Sequence, residues 1–131
     1  MLSGNGDPRI RAYTVWVPKR GGKETDVAGA TTTVPDARSR HFWDGEGLLL
    51  RAYNHVLDLP FAVDAWDVYL IYGPDARWDS AVPPTPSFWM HQLTLAKGPR
   101  LDPEQFGQEL ARMLGAQAGS STADAATGEQ R

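Results

Sequence analysis

The chain has 131 residues, 41% of them hydrophobic, with five tryptophans, 22% charged residues and a formal net charge of −3. A chain of this size and apolarity forms one domain that buries roughly two thirds of its unfolded surface, which excludes a disordered protein. The mild acidity, without a basic stripe, argues against nucleic-acid binding. The absence of cysteine excludes disulfides, zinc–thiolate sites and thiol catalysis by these residues. No apolar run follows Met1, so neither a signal peptide nor a membrane anchor is expected. The cytoplasm is the default compartment, unless a leader has been lost ahead of Met1.

Residues 1–8 form a turn-rich lead-in. Residues 10–17 read as a strand with apolar side chains on both faces. Ile10, Ala12 and Trp16 lie on one, Tyr13, Val15 and Val17 on the other. That pattern predicts a strand covered on both sides. Pro18 and the run Lys19-Arg20-Gly21-Gly22 end it. Residues 24–32 predict a short, weak helix, because Gly29 and three threonines lower its propensity.

Val34-Pro35-Asp36 is a turn, and residues 40–43 form a short strand. Asp44 then caps a predicted helix over 46–57, whose apolar side carries Leu49, Leu50, Tyr53, Val56 and Leu57. Leu59 and Pro60 end it, since the residue before a proline is pushed out of helical geometry. Residues 66–72 are the strongest strand signal, rich in β-branched and aromatic side chains. After a proline-heavy connection, a last strand is predicted over 87–95, joined to the previous one without a helix and so antiparallel to it. The earlier alternation of strands and helices predicts a parallel sheet with right-handed crossovers.

The final helix has the clearest start. Asp102 caps it, Pro103 suits its first position, Gln105 completes a capping box, and Leu101 and Phe106 are spaced for a hydrophobic staple. Gly115 is its predicted stop. The Ala/Ser/Thr/Gly-rich residues 116–131 are expected to be a disordered tail, which leaves a domain over 1–115.

Four landmarks carry a family likeness: Ala12-Tyr-Thr-Val-Trp-Val-Pro18, Arg40-His-Phe-Trp-Asp44, Ala65-Trp-Asp-Val-Tyr-Leu-Ile-Tyr72 and Ser87-Phe-Trp-Met-His-Gln-Leu93. Together, residues 12–95 resemble bacterial thioredoxin-like proteins with a strand–helix insertion. The resemblance implies an α/β fold, a thioredoxin-like three-layer sheet of thiol or selenol oxidoreductase lineage. In that family a first strand and a helix with a Cys-x-x-Cys, or a related thiol or selenol motif, precede the segment matching residues 10–17. These residues hold neither, so the sheet is expected to lack its first strand and active-site helix and to be catalytically silent.

By resemblance, strands 10–17 and 66–72 flank the absent central strand, leaving two hydrophobic edges unpaired. The expectation is a longer natural protein whose nucleophile sits at a helix N-terminus, where the dipole lowers its pKa. The alternative is a non-catalytic binding or assembly module whose open edge recruits a partner strand, or a second copy as a homodimer. The family usually places a cis-proline just before the strand facing the active site. Asp67 stands there instead, between Trp66 and Val68. Trp66, Asp67 and His41 are the groove-lining candidates the resemblance implies.

Other chemistries fit less well. Trp43-Asp44, Trp66-Asp67 and Trp78-Asp79 are too unevenly spaced for propeller blades, and read as core-rim tryptophans beside capping or turning aspartates. His41, His55 and His91 lack metal-ligand spacing, so neither a metal nor a cofactor is expected. His55 is expected to face water. Ser39 beside His41 lacks the sharp elbow that exposes a nucleophilic serine, and no glycine run matches a phosphate loop. Tyr69, Tyr72, Trp78, Phe88 and Trp89 read as core rather than as a ligand groove.

Overall fold

The computed structural model describes residues 2–127. Strand β1 (Ala12–Trp16) is followed by α1 (Val27–Ala30), flanked by short 3-10 turns, then β2 (Ser39–Trp43) and α2 (Leu48–Val56). β3 (Val68–Ile71), β4 (Phe88–His91) and the long α3 (Pro103–Thr127) complete the described chain. The class is mixed α/β, but the strands do not form one sheet. β1 and β2 make a parallel pair, and β3 and β4 a separate antiparallel pair.

The second pair lies between two helices. Val68 and Leu70 pack with Tyr53 of α2 and with Leu57 just after it, in a core that also holds Leu59, Ala65 and Leu93. The Tyr53 and Tyr72 hydroxyls lie 2.9 Å apart, and Tyr72 donates to the Pro84 carbonyl at 2.8 Å. Burial raises the pKa of both phenols. On the opposite face Phe106 of α3 packs against Tyr69 and Phe88, with ring centroids 6.4 and 6.2 Å away.

The first pair is covered on one face only. Tyr13, Val15 and Phe42 are 65%, 36% and 49% exposed. The two-sided covering predicted for residues 10–17 is therefore not present among the described residues. The alternation places the side chains correctly, but no described element lies over the Tyr13 face.

Connections at both ends set β1 beside β3. After β1, Lys19 pairs with Asp64, and the Arg20 guanidinium lies 5.4 Å from the Trp66 ring centroid. Before β1, Arg9 donates to the Leu114 carbonyl at 3.3 Å. Gly73, just after β3, abuts Met113, one residue away on α3. These end contacts orient the two strands antiparallel to each other, and no ladder joins them.

Local chemistry sets the helix ends. α2 starts at Leu48, two residues later than predicted, because Gly47 adopts a left-handed φ of +66°. Gly47 rather than Asp44 therefore holds the cap position, but the Asp44 carboxylate still accepts from the Leu48 and Leu49 amides at 2.9 and 2.8 Å. The end of α2 is made by Asp58 at φ +50°, ahead of Pro60. The Asp58 and Leu59 amides donate back to His55 and Asn54, the pairing of a Schellman motif.

Asp102 caps α3 as predicted, accepting from Glu104 and Gln105 at 2.9 and 3.1 Å. The reciprocal half of the capping box differs, since the Asp102 amide donates to Met90 Sδ at 3.4 Å. α3 passes the predicted stop at Gly115 and remains helical to Thr127. The remainder of the predicted tail, residues 128–131, lies outside the described residues. Among those described, no helix is long and apolar enough to cross a membrane.

Arg38 ties the lead-in to β2. It donates to the carbonyls of Leu2, Asn5 and Asp7 while forking onto Asp36. The Arg38 hydrogen bonds hold the Asp36 carboxyl down from 3.8 to about 2, and those of Arg9 do the same for Asp7. A carboxyl depressed in the folded state contributes stability that is full above 3.8 and fades as pH falls through about 2. Acidification through this window should detach residues 2–9 before the α2–β3 core melts. NMR would show Asn5 and Arg38 resonances changing while Met90 stays native, and simultaneous loss of both would contradict this order.

Candidate functional site

A groove of about 390 Å3 opens where the C-terminal end of β1 meets the N-terminal end of β3. Lys19, Arg20, Asp64, Trp66, Asp67 and Gln92 supply its polar and aromatic walls. Each arrives just beyond a strand end. The Gln92 amide donates to the Asp67 carbonyl at 3.0 Å and so locks the start of β3 to the end of β4. Leu93 beside it is buried.

Two wall residues have costly backbones: Arg20 at φ +53° and Ala62 at φ +63°. In the left-handed region, Arg20 swings its guanidinium across the Trp66 ring. Among the described residues the ring is its only partner, so its five N–H donors remain free for an anion. Lys19 is neutralised by Asp64. The Asp67 carboxylate lies near the Tyr69 hydroxyl, whose pKa rises first through burial and then through that negative charge.

Trp66 and Asp67 thus line one groove, and His41 does not line it. His41 lies on β2, stacked on Trp16 with centroids 6.1 Å apart. Its Nδ1 accepts the Trp16 indole N–H at 3.1 Å, so the neutral ring carries its proton on Nε2, 3.4 Å from Ser39 Oγ. A ring that donates toward serine cannot deprotonate it. This local pair is a structural contact.

His55 is exposed on α2, as expected. His91 is fully buried, with Nε2 2.7 Å from the Lys97 carbonyl and Nδ1 accepting from the Leu93 amide at 3.0 Å. Among the described residues, no three His, Asp or Glu side chains converge to hold a metal ion. The groove can bind and orient through charge, stacking and amide contacts.

Sequence reasoning passed over Lys19, Arg20 and Gln92 as groove residues. The available signal was the pair of cations between a strand and Gly21-Gly22, where a turn turns one of them back over the strand end. Comparison with protein-family models, curated proteins and solved structures gave no match.

Proposed function

We propose that the chain is the body of a thioredoxin-like domain of thiol or selenol oxidoreductase lineage, itself without redox activity. The observation that carries this reading is the division of the strands. β2 and β1 are parallel, β3 and β4 antiparallel, and β1 runs beside β3 unbonded. One strand inserted between them, parallel to β1, would give the order β2–β1–insert–β3–β4, the sheet implied by the resemblance of residues 12–95.

The direction of that strand has a chemical consequence. Parallel to β1, it ends beside Lys19 and Arg20, so a helix following it would start at the groove. A nucleophilic thiol or selenol there would meet the helix dipole and the Arg20 guanidinium, both of which favour its anionic form. Trp66 and Asp67 would then wall the substrate groove, with a carboxylate where the family usually has a cis-proline.

The test is a fusion that places a strand and a Cys-x-x-Cys helix ahead of Met1. The fusion should reduce insulin disulfides with a thiol pKa below the usual value of about 8.5, while the chain alone should not. A folded fusion with an ordinary thiol pKa and no reductase activity would sink the redox reading. The rival reading, a non-catalytic module that recruits a partner strand, would then stand on the same open edges.

A further inference from the structure

We infer that the exposed face of the β1–β2 pair seats an amphipathic helix bearing an acidic residue, delivered by a partner polypeptide with the strand that fills the β1–β3 gap. The inference rests on the divided-sheet reading above, but not on any redox chemistry.

The register places Tyr13 opposite Arg40 and Val15 opposite Phe42, so these four side chains share one face. The Tyr13 and Phe42 rings lie 6.3 Å apart and both are exposed. A contiguous apolar patch rimmed by polar groups marks an interaction surface. Arg40 is exposed and, among the described residues, has no hydrogen bond or ion pair. A cation beside three apolar side chains selects an occupant that is apolar along one stripe and carries a carboxylate.

The strand requirement comes from the backbone. Ala12 donates to the Arg38 carbonyl and Trp16 accepts from Asp44, so alternate residues of β1 face β2. The N–H and C=O groups of Tyr13 and Val15 therefore point away from it. On β3, Asp67 pairs with Gln92, which turns the Val68 and Leu70 groups away from β4. Both sets border the gap between β1 and β3. An inserted strand would satisfy both, but a strand lies in the sheet and covers no face. Packing onto Tyr13, Val15 and Phe42 takes an element about 10 Å above the sheet, which is a helix's place.

A second copy fits poorly. Face-to-face packing would set each Arg40 against another copy of the same uncompensated cationic face. Edge-to-edge pairing of two β1 strands fits no better, because each β1 is fixed to its own β2 and cannot enter the other copy's gap as a single strand.

The probe is a synthetic strand–turn–helix peptide of roughly 30 residues, enough for one strand and a three-turn helix. It carries leucines along one helical stripe, one Glu aimed at Arg40, and serines at both positions a redox motif would occupy. The peptide should bind saturably and protect the Tyr13, Val15, Val68 and Leu70 amides from hydrogen exchange. Arg40→Glu should weaken it about tenfold, and a peptide with Lys in place of its Glu should restore that loss.

Because Arg40 is exposed and unbonded, Arg40→Glu should keep its circular dichroism spectrum. Failure to bind, or binding without protection of those four amides, would overturn the inference. So would indifference to both Arg40→Glu and Tyr13→Ser. The serines separate this result from the redox reading: the fusion can fail as a reductase while the peptide binds, and the reverse outcome removes only this face assignment.

Discussion

Replacing His91 with leucine should lower the unfolding free energy by about 3 kcal/mol and loosen the wall of the groove. The ring is fully buried at the end of β4. An amide can only donate and a carbonyl can only accept, so the partners fix the tautomer. Nδ1 takes the Leu93 N–H, and Nε2–H goes to the Lys97 carbonyl, with Gly98 next at 3.3 Å. Leucine fills much of the space but leaves the buried Leu93 amide and the Lys97 carbonyl unpaired, at about 1–3 kcal/mol each.

Two further variants divide the effect. His91→Asn presents an acceptor near Nδ1, and His91→Gln a donor near Nε2. Each should recover part of the loss, the first by reprotecting the Leu93 amide and the second by re-anchoring Lys97. Urea unfolding with amide exchange at Leu93 reads both. Equal midpoints for wild type and His91→Leu would show that the ring's partners contribute nothing net.

These contacts also mark the limit of what could be read from the sequence. The presence of four strands, the antiparallel last pair and the Asp102 cap depend on neighbouring residues, and all were legible. The His91 partners lie on a loop that returns to β4 through backbone bonds from His91 to Pro99 and from Leu101 to His91. No side-chain pattern announces that return, and it cuts the predicted strand over 87–95 back to Phe88–His91. The start of α2 was misplaced for a similar reason, since a single left-handed Gly47 outweighs the apolar periodicity around it.

The groove was half legible. Trp66 and Asp67 stand at a strand start and were named, but Lys19 and Arg20 reach it only because β1 lies beside β3. The alternation of Tyr13 and Val15 was read as burial on both faces. Alternation fixes which side chains share a face but not whether an element covers that face, and among the described residues none covers this one.

Met90→Ala should destabilise the domain by about 2–5 kcal/mol, the range for deleting a large buried side chain, with the loss centred on the start of α3. Met90 is completely buried, and its face of β4 also carries Phe88, which packs under Phe106. Its sulfur takes the Asp102 amide, the donor that a Gln105 capping box would otherwise satisfy. Alanine leaves a cavity and an unpaired amide together, at the point where Asp102 begins the helix. Met90→Leu separates the two contributions. It preserves volume, which costs under about 1.5 kcal/mol, but removes the sulfur acceptor. The leucine variant should stay near wild type in overall stability while the Asp102 amide exchanges faster. If alanine and leucine destabilise equally, the sulfur–amide contact outweighs packing; if the Asp102 amide is unchanged in both, the sulfur has no part in capping α3.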